Sequence, residues 1–545
     1  MSNFHSFFNK KSEEEKEQFL REYLKLRFNN QEYEKLCKLL ANYYFIEAKI
    51  NHPLFGVQAL IEDYDLLDTS EIKNNSKYAE TVKALKLIQR ALFRSTHIIF
   101  QDPKQLKGQL SARLTYFDLP EIKNLLEQIA TDKNIGLYSL IGSLTPPDAG
   151  GLIRTLEGHS KSVNVIAVTP DGKTVISGSN DKTIKIWDLG TGTEKFTLEG
   201  HSNSVNAIAV TPDGKTVIYG SNDNTIKTWD LGTGTEKFTL KVHINWLSAI
   251  ALTPDGKTII SGSDDKTIKI WDLGTGTEKF TLQGHSYSVY AIAVTPDGKT
   301  LISGSDDNTI KIWDLGTGTE KFTLQGHSHS VNAIALTPDE KTVISASSDN
   351  TIKIWDITQQ KKGFFGFIYE RVRSRLKFTL QGHSHSVNAI AVTPDGKTVI
   401  SGSYDKTIKI WDLGTGQEKF TLEGHSYSVS AIALTPDGKT VISGLSDNTI
   451  KIWDLGTGTE KFTLKGHSSS VNAIAVTPDG KTVISVSDDN TIKIWDLVTR
   501  KEIATFTGES HINCCAVAPD GVTIVAGESS GRLHFLRLQG KVTDE

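Results

Sequence analysis

A unit of 42 residues, written almost verbatim along most of the chain, leaves few folds open to it. One clear copy is GHSYSVYAIAVTPDGKTLISGSDDNTIKIWDLGTGTEKFTLQ, Gly284 to Gln325. The histidine of its Gly-His pair recurs at His159, His201, His243, His285 and His327, each 42 residues after the last. After one interruption the beat resumes at His383, His425 and His467. A fixed period of this length marks a supersecondary unit that cannot bury its apolar face alone and stacks on copies of itself. At 545 residues the chain exceeds one compact domain unless that domain is such an array.

Each unit reads as four short strands. VYAIAV (Val289 to Val294) alternates its faces, Thr-Pro-Asp-Gly-Lys turns, KTLISGS is a second strand and Asp306-Asp307-Asn308 a tight bend. TIKIWD is the third strand, LGTGT a loop and EKFTL the fourth. Such a unit, with Gly-His near its start and Trp-Asp near its end, resembles a WD-repeat blade. Eight Trp-Asp pairs carry the likeness, at Trp187, Trp229, Trp271, Trp313, Trp355, Trp411, Trp453 and Trp495, and it covers residues 152–538. The resemblance implies a mainly β chain, a multi-bladed WD-repeat β-propeller. A ninth unit keeps the Pro-Asp-Gly turn but has Leu536 for Trp, Ser530 for the bend Asp and no His in register. Leu152 to Leu156 reads as a fourth-type strand that completes the last blade, so nine units in one closed ring is the expectation. The rival is seven or eight blades with units left over.

Several patterns imitate chemistry. His159, Ser177, Asp181 and Trp187 recur as His285, Ser303, Asp307, Trp313 and as His467, Ser485, Asp489, Trp495. Ser, His and Asp together suggest a catalytic triad. Eight copies argue for structure instead, and in WD-repeat proteins the matching residues form a buried hydrogen-bonded tetrad. Unit two breaks the set with Tyr219 in the Ser slot and the last unit lacks it, so both are expected to be softer. Gly172-Lys173-Thr174 imitates a phosphate loop, but Ala167 stands where its first Gly is needed and the context is a strand-to-strand turn. No Cys/His spacing suits zinc, so no metal, cofactor or catalytic residue is expected. Sixty Lys+Arg against 64 Asp+Glu gives no general attraction to nucleic acid or membranes. Three cysteines (Cys37, Cys514, Cys515), no signal peptide and no membrane-length apolar run fit a cytoplasmic protein.

Residues 1–141 lack the repeat and read as an all-α helical domain, followed by a Pro/Gly linker at 142–151 and the propeller at 152–538, with a tail at 539–545. Ser12 before Glu13-Glu14-Glu15 is a capping-box start. Further helices are expected over about Glu32–Ile50, around Leu85-Ile88-Leu92, around Leu106-Leu110-Leu114 and around Ile122-Leu125-Ile129. YFIEAK (Tyr44 to Lys49), GVQALIEDYDLL (Gly56 to Leu67), Leu87-Ile88-Gln89 and DPKQLKGQL (Asp102 to Leu110) resemble the region before the propeller in bacterial NB-ARC–WD-repeat NTPases. The likeness spans about residues 35–150, and residues 1–34 are too few to hold the nucleotide-binding domain that precedes this region in that family, so that domain is not expected in this sequence.

Copies this alike make their differences informative. One variable slot follows the His: Lys161, Asn203, Asn245, Tyr287, His329, His385, Tyr427 and Ser469; Trp246 departs beside it. Another precedes the bend Asp and includes Tyr404. In a propeller these loops share a face, so Lys161, Asn203, Trp246, Tyr287, His329, His385, Tyr404 and Tyr427 are the candidate partner-binding ring. A 14-residue insertion near 358–372 (383 − 327 = 56, against 42) carries Phe364, Phe365, Phe367, Tyr369, Arg371 and Arg373, a candidate docking hairpin for an acidic partner. The chain is thus expected to be a non-enzymatic scaffold or sensor for a protein partner, possible partners including a separately encoded NTPase or effector. Its rivals are a detached sensor subunit of a split NB-ARC NTPase and an enzyme with its site in the helical domain.

Overall fold

A computed structural model describes residues 4–539 except 74, 141, 145–157, 190–192, 222, 242, 359–374, 428–430 and 445–446. Nine four-stranded antiparallel sheets hold its strands, the first Val163–Leu198 and the last built on Ile512–Gln539. Within blade four (Val289–Leu324), Ile302 pairs with Ile312 and Leu301 with Trp313 across the second and third strands. Strand alternation puts Ile310 and Ile312 on one face and Lys311 and Trp313 on the other. Both faces are covered, because blades stack. Ile260, Ile268, Ile270 and Leu282 of blade three share one core with Val289, Leu301 and Trp313 of blade four. Each such side chain contributes about 1.5–3 kcal/mol on burial, and only the neighbouring blade can bury it.

The ring closes. The innermost strand of every blade lies against that of the next, and blade one lies against blade nine. A belt of polar side chains along the channel links neighbours: Ser248 Oγ donates to Val289 O, Asn332 Nδ2 to Val387 O (3.2 Å) and Asn472 Nδ2 to Ile512 O (2.9 Å). Across the closing seam Asn513 Nδ2 donates to Ser162 Oγ (2.8 Å).

The strand that completes blade nine is not the one the sequence suggested. Gly136–Ser139 pairs antiparallel with Leu533–Gln539, setting Leu137 opposite Leu538 and Ser139 opposite Leu536. Leu152 to Leu156 lies outside the described residues. The chain enters the ring earlier because the helical domain delivers it there. Ser139 N donates to Ser111 Oγ (2.7 Å) in helix Leu106–Leu114, and Leu137 and Leu144 pack with Phe506 and Leu536. Residues 1–141 therefore contain a propeller strand as well as helices.

The principal helices are Glu13–Asn29, Tyr33–Leu40, Tyr43–Asn51, Gly56–Asp63, Ala79–Arg94, Leu106–Leu114 and Pro120–Thr131. The capping box at Ser12 and Glu15 forms. The single helix expected over Glu32–Ile50 is two, because Asn42 starts a new one by accepting from Phe45 N (3.1 Å). The domain docks on the outer edges of blades eight and nine through Gln109 Nε2 to Thr507 O (3.0 Å) and Arg113 to Glu509 (3.0 Å). At Gly108 the approach is so close that a Cβ would lie 2.9 Å from the Phe506 ring.

Candidate functional site

The repeated His, Asp, Ser and Trp are one hydrogen-bonded chain in each regular blade. In blade four His285 Nδ1 meets Asp307 (2.8 Å), His285 Nε2 meets Ser303 Oγ (2.8 Å), and Trp313 Nε1 donates to the same oxygen (2.8 Å). His159, Ser177, Asp181 and Trp187 do likewise, as do His467, Ser485, Asp489 and Trp495. An indole can only donate and a carboxylate can only accept, so with a neutral imidazole the chain runs Trp to Ser to His to Asp. Burial works against a charged Asp307, but hydrogen bonds from His285 and Thr309 outweigh it and hold its carboxyl below the usual range. Burial depresses the imidazole pKa of His201, His243, His383 and His425 against the pull of their aspartates. The serine hydroxyl is engaged between Trp and His and fully buried, so the set is a frame rather than a nucleophile.

Two blades depart. In blade two Tyr219 replaces the serine, and His201 Nε2, Tyr219 Oη, Thr228 Oγ1 and Trp229 Nε1 are buried without partners among the described residues. Blade nine has exchanged its set for another. Glu528 and His534, both fully buried, meet at 2.8 Å, and Glu528 also accepts from Glu509 N (2.8 Å) and Ser530 Oγ. Sequence reasoning missed this pair, because Glu528 holds the place of Ser487 and His534 that of Lys493, neither a tetrad position. Glu509, one period after His467, bridges to Arg113 of the helical domain and to Arg532.

The tetrad fixes the geometry of the mouth. Ser286 N donates to Asp307 Oδ2 (2.9 Å), Ser305 Oγ to Tyr287 O (3.1 Å) and Asp306 N to Ser288 O (2.9 Å), so the Gly-His loop and the bend share one face. The bend turns through a left-handed residue, Asn308 at φ 68°, a conformation asparagine tolerates better than most. Around this face Lys161, Asn203, His329 and His385 are exposed. Trp246, Tyr287, Tyr404 and Tyr427 are each more than half exposed (61, 57, 54 and 56%), with Ile244 beside Trp246. Lys266 of blade three lies over the Tyr287 ring of blade four (5.3 Å). The aromatic members occupy blades three to seven, away from blades eight and nine where the helices dock. Phe364, Phe365, Phe367, Tyr369, Arg371 and Arg373 lie outside the described residues.

Other surfaces offer less. Gly172 is the left-handed corner of a hairpin whose Lys173 N donates to Asp171 Oδ1 (3.0 Å), not a phosphate loop. Burial raises the thiols of Cys514 and Cys515 to about 12. Among the described residues there is no group of three or more His, Cys, Asp or Glu that could hold a metal, and no helix long and apolar enough to cross a membrane. A cleft of about 1110 Å³ in the helical domain is lined by Tyr44, Tyr78, Gln128 and Lys133 among others.

Nine radial four-stranded blades, most of them locked by a His-Asp-Ser-Trp chain, define a WD-repeat β-propeller. Comparison with known proteins agrees: the chain belongs to the WD-repeat β-propeller family. The family model of the Nucleolar protein 10-like N-terminal β-propeller domain matches residues 200–480, just over half of the chain. The WD domain, G-beta repeat, matches 150–188, and the TEP-1 C-terminal β-propeller matches 467–538. The chain is similar to Vegetative incompatibility protein HET-E-1 of Podospora anserina, 47% identical over 16% of this chain and 6% of that protein. It is similar to Transcriptional repressor rco-1 of Neurospora crassa, 46% identical over 10% of this chain and 9% of that protein. Small ribosomal subunit protein RACK1 of Caenorhabditis elegans is 38% identical over 11% of this chain and 19% of that protein. The chain thus spans less than a fifth of these relatives. Among solved structures, the computationally designed Ika8 protein aligns with a TM-score of 0.50 at 30% identity, over 70% of this chain and 98% of that one. Propellers of this family are in general non-enzymatic scaffolds that bind protein partners.

Proposed function

We propose that this protein is a non-enzymatic scaffold or sensor whose propeller recognises a protein partner at the face bearing the Gly-His loops and bends. The observation that carries the reading is the exposed aromatic arc of Trp246, Tyr287, Tyr404 and Tyr427 on loops pinned by buried tetrads. Large aromatic side chains on a rigid frame lose little conformational freedom on binding, which is why they dominate binding hot spots. The setting we infer is a cytoplasmic signal-transduction or conflict system of bacterial type. The likeness of residues 35–150 to the region before the propeller in NB-ARC–WD-repeat NTPases supports it, as does similarity to a protein named for vegetative incompatibility. A second reading, a detached sensor serving a separately encoded NTPase or effector, rests on that same helical likeness. The test is an affinity capture with the wild type and with the triple variant Tyr287→Ala/His329→Ala/Tyr427→Ala. The variant is expected to melt like the wild type and to lose the captured partner. An unchanged set of partners would sink the mouth as the recognition face.

A further inference from the structure

Seven of the eight Trp-Asp blades repeat a polar triad on the third and fourth strands that blade five has lost. In blade four Lys311 Nζ donates to Glu320 Oε2 (2.8 Å) and Thr323 Oγ1 (2.7 Å), and the Thr323 hydroxyl donates to the other glutamate oxygen. The same Lys–Glu pair forms at 185/194, 227/236, 269/278, 409/418, 451/460 and 493/502. In blade five the residue facing Trp355 is Leu376, where Glu320 faces Trp313. Among the described residues Lys353 is left with Thr379 Oγ1 (3.0 Å) and no carboxylate. It is only 7% exposed, and burial pulls its amine below the usual lysine range, with Asp349 opposing in part. A buried cation without a counter-charge is costly, and a donor pair of this kind favours whatever anion can reach it.

The intact blades show how a carboxylate reaches that place. The Glu320 side chain is 32% exposed while Lys311 beneath it is 11% exposed, so the carboxylate enters from the surface and the lysine waits below. Leu376, standing on the same approach, is 42% exposed. We propose that Lys353 and Thr379 form a receiving site for an acidic side chain of a protein partner. One carboxylate oxygen would rest on the ammonium and the other on the hydroxyl, as those of Glu320 do in the preceding blade. The surrounding sequence suits an acidic occupant. Between Ile357 and Lys377 stand Lys361, Lys362, Arg371, Arg373, Arg375 and Lys377 against Glu370 alone. The site lies on the outer part of blade five and does not depend on the mouth reading.

The test is the binding of a fluorescein-labelled hexaglutamate peptide to the full chain at low salt, read by anisotropy. The wild type is expected to bind it. Thr379→Val, which removes one hydroxyl and no charge, is expected to weaken binding about tenfold, the size of a hydrogen bond to a charged group. Thr323→Val, the same change in blade four, should leave the affinity alone. Leu376→Glu supplies the missing carboxylate from within and should abolish the dependence on Thr379 while melting no lower than the wild type. The Tyr287→Ala/His329→Ala/Tyr427→Ala variant should bind the peptide as the wild type does. No binding to the wild type, or equal losses in Thr379→Val and Thr323→Val, would overturn the proposal. So would tenfold tighter binding by Glu370→Gln, which would give the site to the chain's own glutamate instead of a partner.

Discussion

The hydroxyl of Ser303 does two jobs, accepting the Trp313 N–H and donating to the His285 ring. Ser303→Ala would leave both of those buried nitrogens unpaired, at about 1–3 kcal/mol for each. It is expected to lower the melting temperature and to speed amide exchange in blade four more than in blade six; equal protection of the two blades would refute the role. Blade two displays the outcome already. Five of the nine buried side-chain atoms without a partner among the described residues belong to it, with Tyr219 in place of the serine. The tetrads were legible in the sequence because the same four residue types return seven times at one spacing. The Glu528–His534 pair was not, because each residue sits at a position that carries no tetrad member in other blades. Lys353 lies between these cases: Leu376 is plainly different from Glu320 on the page, but what the glutamate touches appears only once the third and fourth strands are in register.

Among the elements, the repeat made the blades legible, and the linker-like composition around 142–151 concealed the strand that closes them. Gly136–Ser139 is four residues long and shares nothing with EKFTL, the outer strand of other blades. Leu152 to Leu156 has that look and drew the assignment. What selects Gly136–Ser139 is tertiary: helix Leu106–Leu114 holds it, and Leu137 fills a space between Phe506 and Leu538. Without it, the strand Leu533–Gln539 becomes an edge with unpaired backbone groups, a template for pairing with another chain. Leu137→Asp puts a charge into that core and is expected to release the strand. Light scattering should then show self-association at micromolar concentration, with faster exchange of the amides of Leu533 to Gln539. A monodisperse variant with native exchange there would show that the ring closes without this strand.

Taken as a whole molecule, the ring repeats one titratable pair around its mouth, so small local effects of one sign add. The imidazoles of His201, His243, His383 and His425 have depressed pKa values, chiefly through burial. An unfolded chain, with histidines near 6.5, binds protons at a pH where these folded ones do not. Stability is therefore complete above about pH 6.5 and declines as pH falls below it, because the unfolded state takes up more protons. The tetrad aspartates shift the same way: hydrogen bonds from histidine and threonine outweigh burial at Asp181, Asp307, Asp349 and Asp489. Their contribution is present above the ordinary aspartate range near 3.9 and is lost on further acidification. A melting temperature level from pH 8 to 7, falling by several degrees (roughly) towards pH 5 and more steeply below 4, is the expected profile. Each blade shares its core with the next, so the loss is expected to appear as one earlier transition rather than the release of single blades. A melting temperature that is flat down to pH 5 would mean that these histidines take up protons as readily in the folded ring as in the unfolded chain, and one that rises towards pH 5 would mean that they are charged in the folded ring, which would reverse the assigned polarity of the tetrad.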